Sequence, residues 1–342
     1  MKGLTTQEQV EISIIVPVYQ EEKAIPLFLD RIQPVLETVS PNYEIIFCLD
    51  PGKDSSLALL KERLQSNPRI RILVFSRRFG QPSATIAGIE HCKGDACIVI
   101  DVDLQDPPEL IQSMVEKWRE GYHVVYAQRR SRKGETLPKR LISYLGYQII
   151  NKISEVPIPV NTGDFRLLDR RVINELKGLQ EHHGFLRGLV AFVGYRQTSI
   201  LYDRDERQAG DSKYSQVTGS IRIGMNGIIA FSTKPLNIAS IMGFVFSGFS
   251  FLIMFWYLIQ KLFLNSGITP GLPTTVIMIT FFGGIQLICL GIMGEYIGRI
   301  YEEVRGRPKY IIEEEVTAPG ESSSDDAPPG SVSKTSQIAE HL

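Results

Sequence analysis

The sequence predicts an α/β fold, parallel strands joined by helices, attached to a two-helix membrane hairpin. Three observations carry this. Short β-branched runs alternate with longer amphipathic stretches from residue 12 to about 127, the pattern of a strand and crossover helix repeated. Each run feeds a loop rich in Pro, Gly or Asp. Two segments near the C-terminus, 237–259 and 274–293, are almost free of charge and long enough to cross a hydrocarbon core of about 30 Å.

The strands are expected at 12–16, 43–49, 70–75, 96–100 and 124–127. In open sheets of this kind ligands sit at the carboxyl ends of the strands, so the loops that begin at Pro17, Asp50, Ser76 and Asp101 should surround one crevice. Together they outline one α/β domain over 1–214. The next stretch has Val217, Ile221, Ile223, Met225, Ile228 and Ile229 at helical spacing, with Arg222 its one charge before Phe231. It suits an interfacial helix over 215–234. The hairpin, 235–298, follows: Phe, Ile, Leu and Met cover every face of its two segments, and Trp256, Tyr257 and Tyr296 stand at their ends, where aromatic rings favour the interface. The turn between the segments carries only Lys261, whereas Lys234, Arg299, Arg305, Arg307 and Lys309 flank the outer ends. Positive-inside asymmetry then puts the α/β domain and both termini in the cytosol. The remainder, 299–342, is a cytosolic segment expected to be disordered after about residue 313, because its Ser, Pro, Gly and acidic composition cannot support a core.

At 342 residues with a net charge of −1, the chain exceeds one average domain and lacks the bulk charge of a nucleic-acid binder. Cys48, Cys92, Cys97 and Cys289 are unevenly spaced in apolar surroundings, with no C-x-x-C pair, and read as buried, reduced thiols. Residues 1–11 are polar, without the basic-then-apolar order of a signal peptide.

The strongest chemical feature is Asp101-Val102-Asp103-Leu104-Gln105-Asp106-Pro107-Pro108-Glu109, directly after an apolar strand. If the chain stays extended, Asp101, Asp103 and Gln105 project on one side and offer hard oxygen ligands suited to Mg²⁺ or Mn²⁺. An isolated D-x-D is weak, and a solvated acidic loop capping a helix is the simpler explanation. Its neighbours shift the balance. Asp50, in Leu49-Asp50-Pro51-Gly52, and Glu21, in Val16-Pro17-Val18-Tyr19-Gln20-Glu21-Glu22, reach the same crevice. Basic residues follow: Arg129, Arg130, Arg132 and Lys133, then Arg166 in Gly163-Asp164-Phe165-Arg166, Arg187 beside Gly188, and Arg207 to Lys213 in Arg207-Gln208-Ala209-Gly210-Asp211-Ser212-Lys213. Arg and Lys beside glycines can bond phosphate oxygens. Dinucleotide-binding and P-loop glycine fingerprints are both absent.

These motifs, in this order over about residues 12–309, resemble the polyprenyl-phosphate glycosyltransferases of the GT-A fold, relatives of dolichyl-phosphate mannose synthase and of bacterial undecaprenyl-phosphate glucosyltransferases with two C-terminal transmembrane helices. The resemblance implies a mixed, mostly parallel sheet. It implies that Pro17, Tyr19, Glu21, Asp50 and Gln81 join Asp101 and Asp103 in holding a nucleotide-sugar, UDP-glucose being favoured, and that Asp101, Asp103 and Gln105 hold the cation. It places Asp103, Asp164 and Arg166 at the reacting groups, and Arg129, Arg132, Arg187, Arg207, Ser212 and Lys213 at the phosphates of donor and polyprenyl phosphate. One departure is local: many relatives read Asp-Asp-Gly-Ser where this chain has Leu49-Asp50-Pro51-Gly52, so one carboxylate is missing and a proline stiffens the turn. GDP-mannose or UDP-aminoarabinose would use the same scaffold. A processive polysaccharide synthase shares the fold, but two helices make too small a channel and no Q-x-x-R-W motif occurs; a non-catalytic nucleotide-sugar sensor is the reading from another class. Two spans bury little protein surface in a bilayer, which favours a homo-oligomer, a dimer or tetramer.

Overall fold

The first strand, β1 (Ile12–Val18), reads Ile-Ser-Ile-Ile-Val-Pro-Val and is buried along its whole length, as a strand covered on both faces must be. The same holds for β2 (Tyr43–Leu49), β3 (Ile70–Phe75) and β4 (Ala96–Val99). Between them run α1 (Ala24–Val39), α2 (Ser56–Ser66) and α3 (Gln81–His91). The computed structural model describes residues 9–130, 162–179, 181, 186–203, 232–263 and 272–318. The rest of the first unit comprises α4 (Leu110–Arg119), β5 (Val124–Arg129), β6 (Thr162–Asp169), α5 (Arg170–Gly178), α6 (Leu186–Val193), β7 (Gln197–Tyr202) and, at the C-terminal end, β8 (Ile312–Val316).

These strands form one eight-stranded sheet in the order β7-β5-β6-β4-β1-β2-β3-β8. The central pairs β4-β1-β2-β3 and the pair β5-β7 are parallel; β6 runs antiparallel to both β4 and β5, and β8 antiparallel to β3. The expected α/β fold with a mixed, mostly parallel sheet is the one observed. Alternate residues of β1 split between two layers: Ile12, Ile14, Val16 and Val18 join Phe28, Leu29 and Met114 in one core. On the other face α3 approaches so closely that a Cβ on Gly88 would lie 2.3 Å from Ile15 Cγ2 and 2.9 Å from Cys48 Sγ. Cys48, Cys92 and Cys97 are buried and free, as expected; Cys289, also expected to be buried, is free but partly exposed.

The five expected strands are present, two of them extending further, β1 to Val18 and β5 to Arg129. Strands β6, β7 and β8 were not expected as strands. The segment expected to be disordered after about residue 313 contains β8, which adds to the exposed edge of β3. Composition alone would leave Ile-Glu-Glu-Glu-Val solvated. Arg71 on β3 overrides it, donating to Glu44 at 2.5 Å and to Glu315 at 2.7 Å, while Lys61 pairs with Glu314 at 3.0 Å. Tyr310 Oη, just before the strand, donates to Glu90 at 2.5 Å and packs against Phe75.

The chain divides into two compact units, 1–142 with 158–215 and 308–342, and 143–157 with 216–307. In the second unit, α7 (Lys234–Phe263) and α8 (Leu272–Arg305) lie side by side, with the Phe246 ring 5.9 Å from those of Phe281 and Phe282 and Tyr296 Oη donating to the Ser232 carbonyl at 2.6 Å. Both helices are long and apolar enough to cross a membrane, with candidate spans Lys234–Ile253 and Phe281–Arg305. Phe244, Phe251, Leu252, Phe255, Trp256 and Leu287 are exposed on them. The expected interfacial helix lies outside the described residues through Phe231.

Candidate active site

The sheet's register decides where the chemistry gathers. Parallel β1, β2, β3 and β4 end on the same side, and β6, being antiparallel, begins there: its last pair with β4 is Val99 with Arg166. Asp101 stands two residues past Val99, in the loop after β4, and Asp164 two residues before Arg166, within β6. On the other side of β6, Gln128 pairs with Thr162, and Arg129 on β5 pairs with Tyr202 on β7. Residues from both halves of the sequence therefore meet at one edge.

The acidic loop after β4 is a turn and not the extended strand that the spacing suggested. Val102, Asp103 and Leu104 are all buried, and Leu104 adopts φ 58°, a left-handed conformation that a leucine takes only when its surroundings hold it. The projection of Asp101, Asp103 and Gln105 on one side of a strand thus fails, because the loop curls to bury two apolar side chains. What holds the carboxylates is different. Gln81 Nε2, at the start of α3, donates to Asp101 Oδ1 at 2.8 Å, and the Gln105 backbone N–H donates to Asp103 Oδ1 at 3.1 Å. Among the described residues no group of three or more His, Cys, Asp or Glu could cage a metal unaided. Two carboxylates with a nearby carboxamide fit Mg²⁺ or Mn²⁺ all the same, since these ions commonly take one or two carboxylates and complete their shell with phosphate oxygens.

Asp50 has a task beyond the expected contact with a base. It is 2% exposed, and its two oxygens accept from the backbone N–H groups of Phe79 at 2.9 Å and Gly80 at 2.8 Å. It pins the loop between β3 and α3, where Gly80 sits at φ 91°. The pinned loop sets Arg78 over the ring of Tyr19, its guanidinium carbon 3.9 Å from the centroid. Gln20, after Tyr19, is also left-handed at φ 54°, and a Cβ on Gly52 would lie 2.7 Å from its Cγ. Glu21 donates its N–H to Ser56 Oγ at 3.1 Å, and Pro17 is buried in β1 opposite Cys48.

Asp164 lies among arginines. Arg187 Nε donates to its Oδ1 at 3.0 Å, and Arg166 Nη2 is 4.0 Å from the same oxygen. Burial pushes the Asp164 carboxyl up, but Arg187 and then Arg166 outweigh it and hold its pKa below the usual value. Arg166, expected among the reacting groups, is instead buried; it donates to the Gly163 carbonyl at 2.8 Å, and burial lowers its pKa to about 10. It braces the first residues of β6 on either side of Asp164. Arg129 comes close to Gly163, whose added Cβ would lie 3.2 Å from Arg129 Nη2.

A family model for glycosyl transferase family 2 matches residues 13–177 of this chain. The uncharacterized glycosyltransferase YkcC of Bacillus subtilis (strain 168) is 47% identical over 304 residues, 89% of this chain and 94% of that protein. The chain belongs to glycosyl transferase family 2. Another member, the SfII prophage-derived bactoprenol glucosyl transferase of Shigella flexneri, is 40% identical over 303 residues, 89% of this chain and 97% of its own length. Among solved structures, a mannosyltransferase, PcManGT from Pyrobaculum calidifontis in complex with GDP-Man and Mn²⁺, is similar at 17% identity, covering 64% of this chain and 61% of that one with a TM-score of 0.45.

Within this family 2 glycosyltransferase, the structure brings Tyr19, Gln81, Asp101, Asp103, Gln105, Arg129, Asp164 and Arg187 to the C-terminal edge of the sheet. Arg132, Arg207, Ser212 and Lys213 lie outside the described residues. Sequence reasoning missed Arg78, Asp106 and Tyr202. Asp106 accepts from the Tyr202 hydroxyl, and Arg129 Nε donates to that hydroxyl at 3.2 Å. Asp106 lay in view within the acidic run; nothing in the sequence joins it to a tyrosine 96 positions away.

Proposed function

We propose that this glycosyltransferase moves glucose from UDP-glucose to a polyprenyl phosphate at the cytosolic face of a membrane, with Mg²⁺ or Mn²⁺, in a single inverting displacement. The observation that carries this reading is the 40% identity with the bactoprenol glucosyl transferase of Shigella flexneri over 97% of that protein's length. The exposed apolar helices α7 and α8 support the membrane part of the reading, since a hydrocarbon solvent is what such surfaces need. The basic residues flanking the hairpin favour both its ends on the cytosolic side. Two spans per chain favour a dimer or tetramer, which crosslinking in native membranes would test.

Asp101 and Asp103 would hold the cation, which when bound neutralises charge growing on the departing nucleoside diphosphate. The acceptor is a phosphate monoester with a second pKa of about 6, so at neutral pH it is mostly a dianion and needs no dedicated general base. Asp164 is then free for another role. Held ionised by Arg187 and Arg166, it orients acceptor and sugar and stabilises positive charge at the anomeric carbon. Arg129 and Arg187 supply guanidinium groups for the phosphates, and Arg78 with Tyr19 forms a flat cationic wall beside the nucleotide. Positioning supplies much of the acceleration.

The test is transfer of radiolabelled sugar from UDP-glucose to undecaprenyl phosphate by the purified protein in detergent with Mn²⁺, with GDP-mannose in parallel. A β-linked glucolipid is expected. Transfer from GDP-mannose alone would overturn the donor assignment, retention of configuration the single displacement, and tight donor binding without any transfer the enzymatic reading on this acceptor.

A further inference from the structure

Both ends of the acidic loop are tied to other elements. At its start Gln81, the first residue of α3, bonds Asp101 at 2.8 Å. At its far end Asp106, 2% exposed, accepts from the hydroxyl of Tyr202, the last residue of β7. That hydroxyl also accepts from Arg129 Nε at 3.2 Å, while Arg129 Nη2 stands 3.9 Å from Asp106 Oδ1. The phenol therefore bridges a carboxylate and a guanidinium that also form a long ion pair. Between the two ties, Leu104 is kept at φ 58° with its side chain 2% exposed, a conformation that relaxes unless both ends are restrained.

We infer that Tyr202 is a positioning residue for the cation site: through Asp106 it fixes the loop that carries Asp101 and Asp103, and so sets how tightly the enzyme binds a divalent cation together with a nucleoside diphosphate. This rests on the proposed reading of Asp101 and Asp103 as the groups that hold the cation. Its physical basis is that metal affinity depends on how firmly ligand orientation is fixed, and the tie at Asp106 anchors the loop three residues beyond Asp103. Removing the hydroxyl takes one donor from a buried carboxylate and the acceptor from Arg129 Nε. The carboxylate and guanidinium are then drawn toward each other, and the loop end moves with Asp106. Burial and then Asp106 push the Tyr202 pKa up to about 12, so the phenol keeps the proton it donates throughout the physiological range.

The experiment compares full-length wild type, Tyr202→Phe and Asp106→Asn in detergent. Titration calorimetry measures Mn²⁺ binding in the presence of UDP, turnover is followed against Mn²⁺ concentration, and thermal unfolding reports the fold. Tyr202→Phe is expected to weaken Mn²⁺–UDP binding by about 10- to 100-fold, with turnover recovering as Mn²⁺ is raised; Asp106→Asn, which keeps an acceptor oxygen, shifts in the same direction by less. A lowered unfolding temperature with unchanged Mn²⁺–UDP affinity in both variants would reduce Tyr202 to a structural residue and overturn the inference. Wild type that binds no Mn²⁺–UDP would instead overturn the reading of the acidic loop itself.

Discussion

Arg187 Nε donates to Asp164 Oδ1 at 3.0 Å across 23 positions of sequence, joining the start of α6 to the start of β6. Asp164 is only partly buried, and what desolvation it suffers would push it toward its neutral form; Arg187, and then Arg166, outweigh that and keep it charged. In Arg187→Ala the loss of positive charge raises the Asp164 pKa, so the ionised form needs a higher pH. The acid limb of the kcat/KM profile is expected to move upward, and activity at neutral pH to fall by about 10- to 100-fold, as for a lost charge-assisted hydrogen bond. The linkage runs the same way. With its folded pKa depressed, Asp164 contributes stability above the unfolded value near 4 and loses it as pH falls through the folded one. An acid limb that stays in place in the variant would show that another group controls it.

Metal dependence gives a second test. Chelation of the purified enzyme is expected to abolish turnover, and Mn²⁺ to restore it. Asp103→Ala should lower kcat by about 100-fold or more, on the scale of losing one preorganised electrostatic partner, with the fold intact by circular dichroism. Full activity in chelator would remove the cation from the mechanism.

The loop after β3 depends on Asp50 and Gly80. Asp50→Asn puts an amide donor against a backbone N–H, since both carboxylate oxygens are acceptors in the native loop, and should cost about 1–3 kcal/mol. Gly80→Ala meets no atom closer than Pro82 Cδ at 3.9 Å, so its penalty is purely conformational, about 1–3 kcal/mol at φ 91° and ψ 161°. Both variants should unfold several degrees lower and show a raised KM for the donor with a smaller change in kcat.

Two ion pairs near β8 should differ sharply. Arg71 and Glu44 are 7% and 6% exposed, whereas Lys61 and Glu314 are 41% and 50% exposed. Arg71→Ala leaves Glu44 without its arginine in a buried site and is expected to destabilise by about 3–5 kcal/mol. Lys61→Ala should change stability by less than about 1 kcal/mol. Thermal unfolding of the two variants side by side decides it; equal shifts would mean that the buried network is not what secures this edge.

Legibility in the sequence followed locality. The runs of β2 and β3 announce themselves because both faces are buried, and a nearly continuous apolar run needs no partner to be seen. Strand β6 escaped because it begins Thr-Gly-Asp, residues that read as a loop motif; its pairing with β4 and β5 is what extends it. Strand β8 escaped for a related reason. Three consecutive glutamates read as solvated chain until Arg71 and Lys61 are set beside them.

The sequence by itself determined the central parallel strands, the acidic loop after β4 and the two long apolar helices, since each is written in a contiguous stretch of chain: short apolar runs for the strands, closely spaced carboxylates for the loop, and about 20 nearly uncharged residues for each helix. Only the tertiary structure decided that Asp164 stands at the same sheet edge as Asp101, that Arg166 lies buried, that Asp50 holds a loop, and that Tyr202 bonds Asp106. The reason is physical. A strand inserted antiparallel between two others, and hydrogen bonds between groups tens of residues apart, arise from closing the sheet and satisfying its buried polar atoms, and no local pattern specifies which distant partner will do so.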